Sequence, residues 1–247
     1  MVEVCAGDGL TWLRRYRGLR PAFACVLSFT ETALIQGISA AGKTPHDRFV
    51  TAAADATFLA TGASANLSLP LLSAGVSPAV LSRAILQRLG VSCQLFSTGL
   101  PVELTVDHIA LPTVIARAVQ TGSAMSISEV ESLISVGYDW GLRLAKSDSY
   151  LVVGECVVGG TTTAQAVLEA LGYEVAGLMS SSHVRANHSQ KQRLVQQGLD
   201  NAKKRMRGLG SSLSTSVLAV LAAVGDPMQA AVTGMVLAAS CSGGVLL

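Results

Sequence analysis

Gly154-Glu155-Cys156-Val157-Val158-Gly159-Gly160-Thr161-Thr162-Thr163 sets glycines, hydroxyls and one carboxylate between an apolar run and a helical pattern. That combination suits the holding of an anion. Gly159 and Gly160 let the backbone turn tightly and approach a ligand, while Thr161, Thr162 and Thr163 can cap a helix or donate hydroxyl hydrogen bonds. The first amides of the helix point outward at the positive end of its dipole, which favours a phosphate. Neither common nucleotide fingerprint is present. Gly154 and Gly159 have the gap of a P-loop, but Gly160 stands where that loop needs lysine, and the Gly-x-Gly-x-x-Gly spacing is absent. On spacing alone, an ordinary strand-to-helix turn rich in small residues is an equal reading.

The elements that must position this loop alternate between strand and helix. Tyr150 to Val153 reads as a short buried strand, followed by the glycine loop and a helix to Leu171. Upstream, Phe23 to Phe29 reads as a strand. Ser77 to Leu89 reads as a helix capped by Ser77 with Pro78 at its first position, and Val91 to Phe96 as the next strand. Pro112 to Gln120 and Ile127 to Ala145 are predicted helices, the second with Ser128 and Glu131 as a capping box. Downstream come a strand over Tyr173 to Met179, a polar helix from Ser189 to Arg207, and helices at Leu213 to Ala223 and Pro227 to Ala239. Val245 to Leu247 reads as the first half of a buried strand. Alternation of this kind implies an α/β fold of three layers, Rossmann-like, with a mostly parallel sheet and helices on both faces. Ligands then bind beyond the C-terminal ends of the strands, where the glycine loop lies. No internal boundary is visible, so residues 1–247 are expected to form a single α/β domain. Its apolar strand pattern stops midway, as if a C-terminal segment were missing.

Composition narrows the function classes. Half of the 247 residues are apolar and 14% are charged, well below the usual share of about a quarter. Small residues or another subunit must therefore cover much of the surface, and a homodimer is expected. A net charge of +2 and 4% aromatic residues argue against nucleic acid as a partner. The apolar run from Val217 to Leu247 is broken by Gly225-Asp226-Pro227 into pieces too short for a span of about 20 residues. With no secretory pattern at the N-terminus, a cytoplasmic protein that does not enter membranes is expected.

Other chemical candidates are sparse. Cys5, Cys25, Cys93, Cys156 and Cys241 form no Cys-x-x-Cys pair, so neither a disulfide framework nor zinc is suggested. Cys156, near a helix N-terminus, has no histidine partner in its motif, and packing is the simpler account. His46 and His108 lack metal-ligand spacing, and no metal or cofactor is expected. Asp226, before Pro227, is either a helix cap or a ligand contact. His183, Arg185 and His188 either reach a pocket or form a solvated loop. The basic run Lys203 to Arg207 suits a helix C-terminus, with Gly208 and Gly210 as its stop.

Gly154-Glu-Cys-Val-Val-Gly-Gly-Thr-Thr162 resembles the Gly-Glu-x-x-x-Gly-Asn-Thr-Thr motif of the nicotinate-nucleotide:dimethylbenzimidazole phosphoribosyltransferase family. Val224 to Met235 is similar to that family's glycine followed by a small-residue helix, and Gly198 to Lys204 to the polar helix between the two. Gly37 to Pro45 with Ala52 to Asp55 resembles the divergent branch found in archaea and cyanobacteria. The resemblance covers the chain from about Phe23 to its end. It implies transfer of ribose 5-phosphate from nicotinate mononucleotide to 5,6-dimethylbenzimidazole or a related azole, in assembly of the lower ligand of cobalamin. It implies phosphate and ribose contacts from Gly154, Gly159, Gly160, Thr161, Thr162 and Asp226, with Glu155 beside the ribose as the catalytic carboxylate. Two departures stand out. Gly160 replaces the family's asparagine, and the family's C-terminal glutamate base would fall beyond Leu247. The alternatives are a nucleotide-binding protein without turnover and a different nucleotide or sugar-phosphate enzyme on the same scaffold.

Overall fold

The computed structural model describes residues 9–63, 69, 75–145, 149–180, 183–208 and 216–247. Five strands, β1 (Ala22–Phe29), β2 (Cys93–Thr98), β3 (Ile109–Ala110), β4 (Tyr150–Val158) and β5 (Gly244–Leu246), form one sheet in the order β3-β2-β1-β4-β5. Every neighbouring pair runs parallel. Around it lie α1 (Gly9–Tyr16), α2 (Thr51–Thr61), α3 (Pro78–Leu89), α4 (Ile127–Leu144), α5 (Gly160–Ala170), α6 (His188–Gly208), α7 (Val217–Val224) and α8 (Pro227–Ser240). The expected α/β architecture is the one observed.

Strand alternation assigns the two faces of the sheet. Cys25 and Leu27 of β1 pack with Ala52, Ala53 and Ala56 of α2 and Ala79 of α3. Ala24 and Val26 face the other way, onto a core shared with Val130 and Leu133 of α4 and Ala230, Ala231 and Met235 of α8. Helices α4 and α8 touch backbone to backbone. A Cβ at Gly137 would stand 2.1 Å from the Ala231 carbonyl oxygen, and one at Gly234 2.0 Å from that of Ile134. Glycine at these places lets α8 lie close enough to feed β5 back beside β4, pairing at Tyr150 to Val152.

The structure corrects three local expectations and adds a helix. Residues 112–118 are not helical. Ala116 forms a parallel bridge with Thr30, donating its N–H to the Phe29 carbonyl while its own carbonyl accepts from Glu31, and only Val119–Thr121 makes a 3-10 turn. Pairing with the end of β1 thus overrides an apolar spacing that also fits a helix. Residues 173–179 make turns instead of a strand, with Tyr173 closing the end of α5 onto the Leu168 carbonyl; part of the β4 edge such a strand could join is already held by β5. The capping box of α4 is Ser126 with Glu129, two residues before the predicted pair, because Ser126 is the last extended residue. Helix α2 was not anticipated, since a run of alanines and threonines carries little apolar periodicity. Of the expected helix at Leu213 to Ala223, residues 213–215 lie outside the described ones, as does Gly210, and the helix runs on to Val224.

Candidate functional site

The sheet order places the topological switch point between β1 and β4, where connections leave to opposite sides and a crevice opens at the strand ends. Strand β4 is longer than the sequence suggested. Its register with β1 pairs Cys25 with Gly154, Val26 with Glu155, Leu27 with Cys156 and Phe29 with Val158. Gly154, Glu155 and Cys156 therefore belong to the strand. The expected loop shrinks to the single residue Gly159, left-handed at φ 87°, and α5 starts at Gly160. A Cβ at Gly159 would also lie 3.0 Å from the Ala33 backbone nitrogen. At Gly160 a Cβ would lie 3.0 Å from the Val157 Cβ, so the asparagine of the resembling motif would crowd that valine here.

No side chain caps the N-terminus of α5, which leaves its first amides to an outside acceptor. A cation stands beside it. Lys191 of α6 is wholly buried, and its Nζ donates to Thr161 Oγ1 at 2.9 Å and to the Met179 carbonyl at 3.2 Å. Burial pulls its pKa below the ordinary lysine value. Thr161 itself is exposed. Thr162 is fully buried, with a hydroxyl that has no hydrogen-bond partner. Sequence reasoning missed Lys191, though a signal exists. It falls on the buried stripe of α6 with Val195, Gly198, Leu199 and Ala202, a place where an unexplained charge is costly.

Successive strand residues face opposite ways, so Glu155 and Cys156 leave β4 on opposite faces. On the α8 side, Glu155 accepts the Val157 N–H at 2.7 Å and remains open to solvent at its edge. Burial, then the charge of Asp226, pushes its pKa up to about 7. Asp226 is the N-cap of α8 in a full capping box with Gln229, and Thr163 Oγ1 donates to its Oδ2 at 2.6 Å. Burial raises its pKa to about 6, against the hydrogen bonds that lower it. The structure thus places Asp226 fully buried, with both oxygens engaged in capping and in the bond to Thr163.

Both carboxyls bind protons more tightly in the fold than in the unfolded chain, so the fold loses stability as pH rises from about 4 to about 7. Glu155→Gln is expected to have a higher Tm than the parent at pH 8 and an equal one at pH 4, where the parent is protonated. Thermal unfolding at the two pH values checks this; a constant difference would show that Glu155 ionisation carries no strain.

On the α2 side, a cavity of about 230 Å3 opens between β1, β4, α2 and the N-terminus of α3, reaching Glu155, Gly159, Gly160 and Thr161. Phe23, Leu59 and Pro78 give it apolar walls. Gly154 seats the Phe23 ring, whose Cζ lies 3.2 Å from where a Cβ would be. Asp55 lines it too, taking a hydrogen bond from Ser77 Oγ at 2.5 Å and one from Cys156 Sγ at 3.3 Å. The Cys156 thiol is held well above its ordinary pKa by burial and then by Asp55, which makes it a donor to Asp55 and a poor nucleophile. His183, Arg185 and His188 do not line the cavity.

A parallel sheet with its crevice at a switch point, and an uncapped helix N-terminus in that crevice, defines a Rossmann-like α/β protein. Residues 30–247 match the model of a family described as phosphoribosyltransferase, and the chain belongs to that family. It is 47% identical over 241 residues to a UPF0284 protein of Microcystis aeruginosa, covering 97% of this chain and 64% of the relative. It is 49% identical over 240 residues to one of Gloeobacter violaceus, covering 97% and 61%. The chain therefore spans somewhat less than two thirds of the length of these curated relatives. Among solved structures, its fold is similar to CobT from Thermus thermophilus, with TM-score 0.65 and 19% identity over 92% of this chain and 61% of that one. A second structure, of the nicotinate-nucleotide-dimethylbenzimidazole phosphoribosyltransferase from the same organism, gives TM-score 0.62 at 19% identity. Among the described residues, no helix is long and apolar enough to cross a membrane.

Proposed function

We propose that this chain carries the donor site of a phosphoribosyltransferase that moves ribose 5-phosphate from nicotinate mononucleotide to 5,6-dimethylbenzimidazole or a related azole. The single observation that carries the reading is the Lys191 ammonium, buried and 2.9 Å from Thr161 Oγ1 beside the uncapped start of α5. A buried cation next to free helix amides offers charge and directed donors to one phosphate. In this reading the amides of Gly159, Gly160 and Thr161, the Thr161 hydroxyl and Lys191 hold the phosphate. Thr162 and Asp226 support the turn from behind.

The transfer breaks the bond between C1′ of the ribose and the pyridine nitrogen, which keeps the electron pair, and forms a bond from C1′ to a ring nitrogen of the azole. The azole N–H proton passes to a base and then to water. Positive charge grows on C1′ during this exchange, and Glu155, in its ionised form, faces it with the opposite sign. Incubating the protein with nicotinate mononucleotide and 5,6-dimethylbenzimidazole should release nicotinate, seen by chromatography. Release by the parent and its loss in Glu155→Gln supports the assignment; binding of the nucleotide without release from any azole favours a nucleotide-binding protein instead.

A further inference from the structure

The cavity on the α2 side contains a carboxylate that phosphate binding does not use. Asp55 is 8% exposed and is the one charged residue of α2, set among alanines that pack on β1. A lone carboxylate on a buried helix face is costly unless it is partnered. Its partners account for only part of its capacity. Ser77 donates to Oδ1 and Cys156 to Oδ2, so each oxygen retains a lone pair. Ser77 is in turn fixed as the N-cap of α3, accepting from the Ala79 N–H. The carboxylate is therefore oriented from two sides in a cavity with apolar walls at Phe23, Leu59 and Pro78 and polar ones at Ser39, Thr51, Ser82 and Glu155. That surface suits a flat heteroaromatic ring carrying a hydrogen-bond donor.

We propose that Asp55 determines acceptor specificity: it takes a hydrogen bond from the ring N–H of the acceptor base and so admits N–H azoles while rejecting their N-alkylated analogues. The proposal rests on the transferase reading for the acceptor's identity, and on the cavity alone for the N–H requirement. Burial raises the Asp55 pKa, against the Ser77 and Cys156 hydrogen bonds that lower it; in its ionised form it can only accept, so a ligand without the N–H leaves it desolvated and unmatched, the kind of mismatch that discriminates most strongly between analogues. Cys156 and Ser77 act through Asp55 as positioning residues.

The test is calorimetric binding of benzimidazole and 1-methylbenzimidazole to the parent protein, to Asp55→Asn and to Asp55→Ala, with Tm measured for each. The parent is expected to prefer benzimidazole by about tenfold or more, the loss of one hydrogen bond to a charged group. Asp55→Asn, which keeps the shape, should bring the two ligands to within about threefold, and Asp55→Ala should do the same if its Tm shows it folded. Equal binding of the two ligands by the parent, binding of neither, or a preference that survives in Asp55→Asn overturns the proposal. Nicotinate mononucleotide is titrated separately. A parent that shows the N–H preference but neither binds the nucleotide nor releases nicotinate defeats the transferase reading and leaves Asp55's role standing.

Discussion

Lys191→Ala is expected to weaken binding of nicotinate mononucleotide by about 10- to 100-fold, the equivalent of about 1.5–3 kcal/mol for a hydrogen bond to a charged group. The ammonium is delivered by α6, which packs against α5 and the 3-10 turn at Val119–Thr121, so its position is fixed before any ligand arrives. Fixed charge loses little entropy on binding, which is why a large effect is expected from one side chain. Inorganic phosphate should lose affinity in the same proportion, whereas nicotinic acid alone should not change. Calorimetry with the three ligands decides the matter. Unchanged nucleotide affinity in a variant of parental Tm would remove Lys191 from the site and with it the observation on which the proposed function stands.

Gly159→Asp should abolish detectable nucleotide binding, with an affinity loss above about 100-fold. Two costs add. The residue must hold φ 87°, a left-handed conformation costing about 1–3 kcal/mol for a residue with a Cβ, with that Cβ 3.0 Å from the Ala33 nitrogen. A negative charge is also set at the helix terminus meant for the phosphate, where it satisfies the same amides. Gly159→Ala separates the costs, since it carries the strain without the charge. The expected order of affinity is parent, then Gly159→Ala, then Gly159→Asp. If the alanine variant loses Tm but binds as the parent does, the turn matters to folding only.

Much of the frame is legible because local rules and tertiary packing agree there. Ser77-Pro78 opens α3, and Asp226-Pro227 with Gln229 opens α8, because each cap satisfies amides within three residues of itself. The strands at Phe23 and Tyr150 are legible because a sheet covered on both sides demands continuous apolar runs. The misreadings fall where partners come from far along the chain. Residues 112–118 look helical until Thr30 is seen beside Ala116. The segment from Gly154 to Val158 looks like loop until β1 supplies its register. Lys191 looks like an ordinary helix residue and Asp55 falls in a stretch that carries no periodicity, and only the packing of α6 on α5 and of α2 on β1 turns them toward the crevice.

By itself, the sequence determined the class of fold, the glycine turn leading into α5, and the order of the motifs that mark the family, because glycine, proline and capping residues act over a few neighbours. Tertiary structure alone decided that Glu155 and Cys156 face opposite sides of β4, that Asp226 is engaged in capping and with Thr163, and that Lys191 and Asp55, 136 positions apart, flank the same turn. A β-strand sends alternate side chains to opposite faces, and which face meets which helix is set by the order of strands in the sheet. That order is fixed by contacts between distant segments, which no short window of sequence contains.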